Sequence, residues 1–242
     1  MTGGTSSGDG RVPFFQDRVP FLACLDEQER EELLALGPKV TYRARSELIR
    51  EHEPSSHVHL VVSGRLMVTA GSPNGYVALL ALRRPGDVLG ESAALTGRAR
   101  SATVTALEMA ECVLVGRDAF LDFLARRPAA HRKLSALLVE RVRAGDRRAL
   151  ELASMTVRER LAALLLDLAR SHSERTEDGL LLTVPLSQQE LAGSVGASRE
   201  AIVRLLTEFR GSGVLVTARR RMWLRRPEVL RRIARAEESA QR

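Results

Sequence analysis

Two short stretches of this chain concentrate residue types that can do chemistry. Residues 86–104 read Gly-Asp-Val-Leu-Gly-Glu-Ser-Ala-Ala-Leu-Thr-Gly-Arg-Ala-Arg-Ser-Ala-Thr-Val. They read as a strand, a Gly90-Glu91 turn, a short helix, and then Arg100-Ser101 entering a second strand. Unbonded amides at a short helix start, with an arginine nearby, make an anion site. A carboxylate beside that site, here Glu91, can accept a ribose hydroxyl. The second stretch, 186–206, begins with Leu186 and the capping-box pair Ser187 and Glu190. Its helix has Leu191 and Val195 on the inner face and stops at Gly196, where a left-handed residue costs little. Ser198 caps a second helix whose buried face is Ile202, Leu205 and Leu206. Ala192 is small, as close helix crossing requires. The spacing is that of a helix-turn-helix.

The exposed start of that second helix presents Arg199, Glu200 and Arg204. Arginine bonds guanine O6 and N7 bidentately, and glutamate accepts from cytosine N4. The Ser198 hydroxyl and the helix-start amides suit a phosphate. Beyond the turn at Gly211–Gly213, the runs 214–217 and 222–224 read as a hairpin tipped by Arg219, Arg220 and Arg221. It makes a basic wing for backbone phosphates. The alternative is a solvated helical hairpin with ordinary surface arginines. The coincidence of cap, turn glycine, small residue and basic wing argues against it.

These stretches need elements to hold them. From about Val40 to Val115, short β-branched runs alternate with Gly/Pro turns such as 71–75, the pattern of an antiparallel sandwich or roll. From Arg117 onward the period becomes helical, interrupted by Pro128. Ser135, Leu138, Val142, Gly145, Ala149 and Leu152 then step by threes and fours, a short coiled-coil seam. That seam fits either a dimer interface or packing on the chain's own β domain, and the dimer is slightly favoured. The expected fold class is α+β. Its expected parts are a polar tail (1–14), a β-roll (15–130), a dimerisation helix (131–154), a winged helix-turn-helix (155–226) and a short charged helical tail (227–242).

The composition agrees with this plan. The chain has 242 residues, is 44% hydrophobic and carries a net charge of +7. Residues 1–130 hold 15 Lys/Arg against 16 Asp/Glu, whereas residues 155–242 hold 16 against 11. Codon bias explains why arginine replaces lysine, but not why the excess lies at one end, where a polyanion should bind. Aromatic residues are only 4%, which leaves no stacking platform for single strands, so duplex DNA is the better partner. No apolar run approaches the ~18 residues of a membrane span. The start reads as a polar tail and not as a signal peptide, and a cytoplasmic, non-membrane protein is expected.

The cassette 86–104 resembles the phosphate-binding cassette of cyclic-nucleotide-binding domains. Together with the helix-turn-helix over Glu190–Leu206 it resembles the Crp–Fnr family of bacterial transcription regulators, over roughly residues 15–226. The resemblance implies that Glu91 takes the ribose 2′-hydroxyl. It implies that Arg100 pairs with a cyclic phosphate, helped by Ser101 and the amides at Gly90 and Ala102, and that Val68 lines the base pocket. Gln189, Ser198, Arg199, Glu200 and Arg204, with Arg219 to Arg221, would meet DNA at a pseudo-palindromic site. The implied partners are a second copy of the chain and RNA polymerase. No obligatory cofactor is implied, and the implied effector is a cyclic nucleotide, cyclic AMP ahead of cyclic GMP because Ser101 is not threonine. One departure stands out: where the family's cyclic-AMP readers carry a Thr-Ser pair on the dimer helix, this chain has Gly145 and Asp146. Asp146 can accept an adenine amino group or repel a nucleotide. The alternative is a ligand-independent or protein-regulated DNA-binding regulator with a vestigial cassette, Arg100 being salt-bridged to Glu91.

Other chemistry is weaker. Cys24 and Cys112 are too few for an iron–sulfur cluster. Cys112 reads as core, and neither cysteine carries a haem signature. His57 and His59 share a strand face near His52, where a metal site competes with the commoner solvated edge. No P-loop, nucleophile elbow or H-E-x-x-H motif points to an enzyme.

Overall fold

A computed structural model describes residues 17, 19–54, 56–73, 75–184, 186–218 and 221–234. The expected tip arginines Arg219 and Arg220, the tail 1–14 and residues 235–242 lie outside the described residues.

The chain begins with two helices, α1 (Phe21–Cys24) and α2 (Glu27–Leu34). The sequence reading did not anticipate α2, although Asp26 and Glu29 form a full capping box at its start. Eight strands follow: β1 (Lys39–Tyr42), β2 (Glu47–Ile49), β3 (His57–Ser63), β4 (Leu66–Gly71), β5 (Val77–Arg83), β6 (Val88–Leu89), β7 (Thr103–Ala106) and β8 (Ala110–Gly116). Helix α3 (Glu91–Thr96) is inserted between β6 and β7. The strands form two antiparallel four-stranded sheets, ordered β1-β8-β3-β6 and β2-β7-β4-β5. Period-two alternation decides which side chains lie between the sheets. On β8, Cys112 and Leu114 face inward to Ile49, Val61, Leu66, Leu89 and Val104. Val113 and Val115 face outward to a second core.

That second core lies under helices. Helix α4 (Arg117–Arg126) supplies Phe120 and Phe123, both fully buried. Helix α5 runs from Pro128 to Ser154 and buries Ala130, Leu134 and Leu137. It starts three residues before the expected 131, because proline at the first helical position loses only an N–H that no helix bond needs. The first half of α5 packs on the chain's own roll through Leu134 and Leu138. The second half is bare: Val142 is 65% and Leu150 68% exposed, and Val139 and Leu152 are exposed as well.

The C-terminal unit comprises α6 (Val157–Ser171), β9 (Ser173–Thr176), β10 (Gly179–Leu182), α7 (Gln188–Val195), α8 (Arg199–Gly211), β11 (Leu215–Ala218), β12 (Arg221–Leu224) and α9 (Pro227–Ala234). Its sheet has the order β11-β12-β10-β9. Strand β9 is almost wholly exposed and has no apolar alternation to announce it in the sequence. Helix α9 is amphipathic, with Leu230 fully buried in the core of this unit. That core also takes in Met67, Leu79 and Leu82 from the outer face of the β2-β7-β4-β5 sheet, and Leu107 just beyond β7. The two units therefore share one apolar seam. Polar contacts flank it: the Tyr76 hydroxyl donates to the Ala192 carbonyl (3.2 Å), and Arg45 pairs with Glu190 at 3.3 Å.

Candidate effector site and nucleic-acid interface

The effector cassette occupies the end of the roll where β6 gives way to α3. Gly90 precedes α3 with φ 80°, a left-handed conformation that favours glycine. A Cβ there would lie 2.1 Å from Arg100 Nη1, so the position is closed to larger residues on both counts. Arg100 is only 5% exposed. Its Nη1 donates to the Gly90 carbonyl (3.2 Å) and its Nη2 to the His57 carbonyl (2.6 Å). Burial lowers the Arg100 pKa, and Glu91 and Glu53 partly offset this. Val68 is half-buried on β4 among the inward residues, Ala102 is half-buried, and Ser101 is exposed.

Glu91 is 6% exposed, but its ion-pair partner is not Arg100. Arg141 of α5 donates to Glu91 through Nη1 at 2.7 Å and grips Asp17 through Nε (3.0 Å) and Nη2 (2.6 Å). The expected alternative pairing of Arg100 with Glu91 is thus replaced by one that crosses to the long helix. The fork geometry of arginine allows two carboxylates to be held at once. Burial alone would raise the Asp17 carboxyl, yet Arg141, Arg83 and Arg84 together hold it below its ordinary value. Burial works against the Arg141 charge, but Glu91 and Asp17 raise it on balance. Asp87, next to this cluster, is pushed up to about 6 by burial, partly countered by Arg83. Sequence reasoning missed both Arg141 and Asp17, since no local motif marks a contact made across 50 or 124 positions.

Asp146 and Gly145 lie further along α5, both exposed. Cys112 is fully buried, and burial pushes its thiol up to about 12, which suits a core residue. His52 is an exposed turn residue with φ 70°. The expectation of a solvated edge for His57 and His59 is corrected: His59 has no exposed surface, because its side of β3 points into the roll. No group of three metal-ligating side chains occurs among the described residues.

The second site is built as its local sequence dictates. The Ser187 side chain accepts from the Glu190 amide (3.1 Å), and Glu190 accepts from the Ser187 amide (2.5 Å). Gly196 ends α7 at φ 63°, and the Ser198 hydroxyl oxygen accepts from the Ala201 amide (3.2 Å). Ile202, Leu206 and Phe209 anchor α8 in the core. Anchoring that face exposes Arg199, Glu200 and Arg204 on the other, with Ser198, Gln189 and Arg221 also exposed. None of Arg199, Arg204 and Arg221 has an ion-pair partner among the described residues. An unlooked-for arginine, Arg160, is buried beneath α7. It donates to the carbonyls of Val195 (2.8 Å) and Leu152 (3.3 Å), and also to that of Met155. It thereby satisfies orphan carbonyls at the ends of both α5 and α7.

With this geometry in place, comparison with known proteins is decisive. Residues 39–127 match the cyclic nucleotide-binding domain family, and residues 159–233 match the Crp-like helix-turn-helix domain family. The chain belongs to the Crp–Fnr family of transcription regulators. Among its relatives is the CRP-like cAMP-activated global transcriptional regulator of Mycobacterium tuberculosis, 30% identical over 67% of this chain and 73% of the relative. The Cyclic AMP receptor protein of Thermus thermophilus is 29% identical over 81% of this chain and 88% of its own length. The fold is shared with the c-di-GMP responsive regulator CLP of Xanthomonas campestris at a TM-score of 0.75 and 23% identity, over 82% of this chain and 99% of that one. As a Crp–Fnr protein, this chain is a DNA-binding transcription regulator with a β-roll effector domain and a Crp-like reading head. No helix among the described residues is long and apolar enough to cross a membrane.

Proposed function

We propose that this regulator is a cytoplasmic homodimer whose hold on DNA is controlled by a cyclic nucleotide, cyclic AMP ahead of cyclic GMP. The single observation that carries the reading is the Glu91–Arg141 pair at 2.7 Å. It ties the residue assigned to the ribose hydroxyl to the helix assigned to the dimer. Arg100, Ser101 and the Gly90 and Ala102 amides hold the phosphate, and Val68 and Asp146 are assigned to the base. The names of the Mycobacterium and Thermus relatives support a cyclic AMP effector. The exposed apolar strip Val139, Val142, Leu150 and Leu152 is covered by the same strip of a second copy. An effector that favours one arrangement of that pair shifts the population toward dimers whose recognition helices lie ~34 Å apart, one turn of DNA. Arg199, Glu200 and Arg204 then read bases, while Gln189, Ser198 and the wing arginines hold phosphates. RNA polymerase is the further partner.

Calorimetric titration with cyclic AMP and cyclic GMP tests this reading. Saturable binding that Arg100→Ala abolishes is expected. The second reading, a vestigial cassette, is favoured by the two carbonyls that already occupy Arg100. It gains if neither nucleotide binds while DNA binding persists.

A further inference from the structure

The inner wall of the roll beside Arg100 carries two histidines with no role so far. His57 and His59 lie on the same face of β3, their ring centroids 4.8 Å apart. Nε2 of His59 is 3.2 Å from the Tyr42 hydroxyl, and its fully buried Nδ1 has no hydrogen-bond partner. Arg100 closes over the start of the same strand by donating to the His57 carbonyl at 2.6 Å. We propose that His57 and His59 form a proton-accepting arm of the effector site, so that an anion seated against Arg100 enters together with a proton. The proposal rests on the reading of Arg100 as the anchor of the effector.

The reasoning is electrostatic. Without an anion, burial and then the Arg100 charge hold His57 below its ordinary value. Burial, His57 and Arg100 push His59 down to about 3. An incoming phosphate cancels the Arg100 repulsion and brings an acceptor into the roll. Imidazolium has two donors, so the unpartnered Nδ1 of His59 gains the acceptor it lacks. The balance is one anion and one proton bound together, the proton drawn from solvent. A pair whose pKa is higher in the complex than in the free protein binds the anion more tightly as pH falls, by up to about tenfold per pH unit.

Few other ionisable groups face the pair. Tyr42 reaches the pair from β1 and is raised by burial and by Cys112, whose own thiol on β8 is pushed up to about 12. Glu91 on α3 is engaged by Arg141, and Glu53, just before β3, bears on Arg100. Strand β6 brings only Val88 and Leu89, and α4 lies against the opposite face of β3.

The test is calorimetry of the full-length protein with cyclic AMP from pH 5.5 to 8.5, in two buffers of different ionisation enthalpy. The phosphodiester and adenine of this probe do not titrate in that interval. Severalfold tightening toward low pH is expected, with a buffer-dependent enthalpy that reports proton uptake and a flattened profile in His57→Gln. Binding that is flat with pH and independent of buffer overturns the inference and leaves the effector reading intact. If cyclic AMP does not bind, that reading fails. Inorganic sulfate then becomes the probe, with NMR titration of the histidine rings. A sulfate-induced rise of the His57 midpoint in the wild type, absent in Arg100→Gln, supports the proton arm. No rise overturns it.

Discussion

The two halves of this regulator use arginine in opposite ways. In the roll, Arg83, Arg100 and Arg141 are buried or nearly so, and each is held by carboxylates or backbone carbonyls. In the reading head, Arg199, Arg204 and Arg221 stand in solvent with no ion-pair partner among the described residues. A buried guanidinium is costly unless fully paired, so the first group fixes geometry and responds when a partner changes. An exposed, unpaired guanidinium costs little and remains free for a polyanion. One residue type is thus a paired latch inside and an unpaired surface charge outside, and burial separates the two.

The sharpest way to break that contrast is Arg141→Met. It leaves Glu91 buried without the Arg141 charge and reduces Asp17 to its longer pair with Arg83 at 3.6 Å, a loss of about 3–5 kcal/mol in chemical denaturation. A stability close to wild type would contradict the latch role. Next in size, Arg199→Ala costs about 1–3 kcal/mol in binding to the cognate duplex and relaxes specificity at one base pair, with stability unchanged. Arg220→Ala, on the expected wing tip, weakens all duplexes alike in a binding titration. Equal losses on cognate and random DNA for both variants would blur the division between base reading and phosphate gripping.

Acid should act on the buried histidines. His59 is held down to about 3 and His172 to about 4, both chiefly by burial. The folded state therefore prefers them neutral. The stability they contribute is complete above the unfolded value near 6.5 and drains as pH falls toward 4 and then 3. Each contributes a slope approaching 1.4 kcal/mol per pH unit (an order-of-magnitude value) within its window. Unfolding midpoints measured between pH 7 and 4 should show this, with a shallower slope in His172→Gln. The smallest effect is expected from Ser187→Ala, which removes one acceptor at the start of α7 and costs about 1 kcal/mol of thermal stability.

The contrast also explains what the sequence disclosed. The reading head was legible because its signals are local: Ser187 and Glu190 are three residues apart, and Gly196 and Ser198 punctuate a single turn. The roll was legible as alternating strands, and its cassette as a Gly-Glu…Arg-Ser string. Its partners were not. Arg141 meets Glu91 and Asp17 only after the chain folds, and nothing near Arg141 differs from an ordinary helical surface. His59 was misplaced on a solvated edge because alternation assigns residues to faces without saying which face the second sheet covers. Arg160 was invisible for a similar reason, since it serves carbonyls of two separate helices. The exposed strip on α5 was half right: Leu138 turned inward to the roll, while Val139 and Leu150, outside the expected seam, face solvent.

The most direct test is a selection of bound sequences from a random duplex library by the full-length protein, with and without cyclic AMP. The account predicts enrichment of two-fold symmetric sites, half-site centres about one helical turn apart, when the nucleotide is present, and loss of that enrichment in Arg100→Ala. Enrichment of a single unrepeated half-site, or of no sequence in either condition, would contradict it.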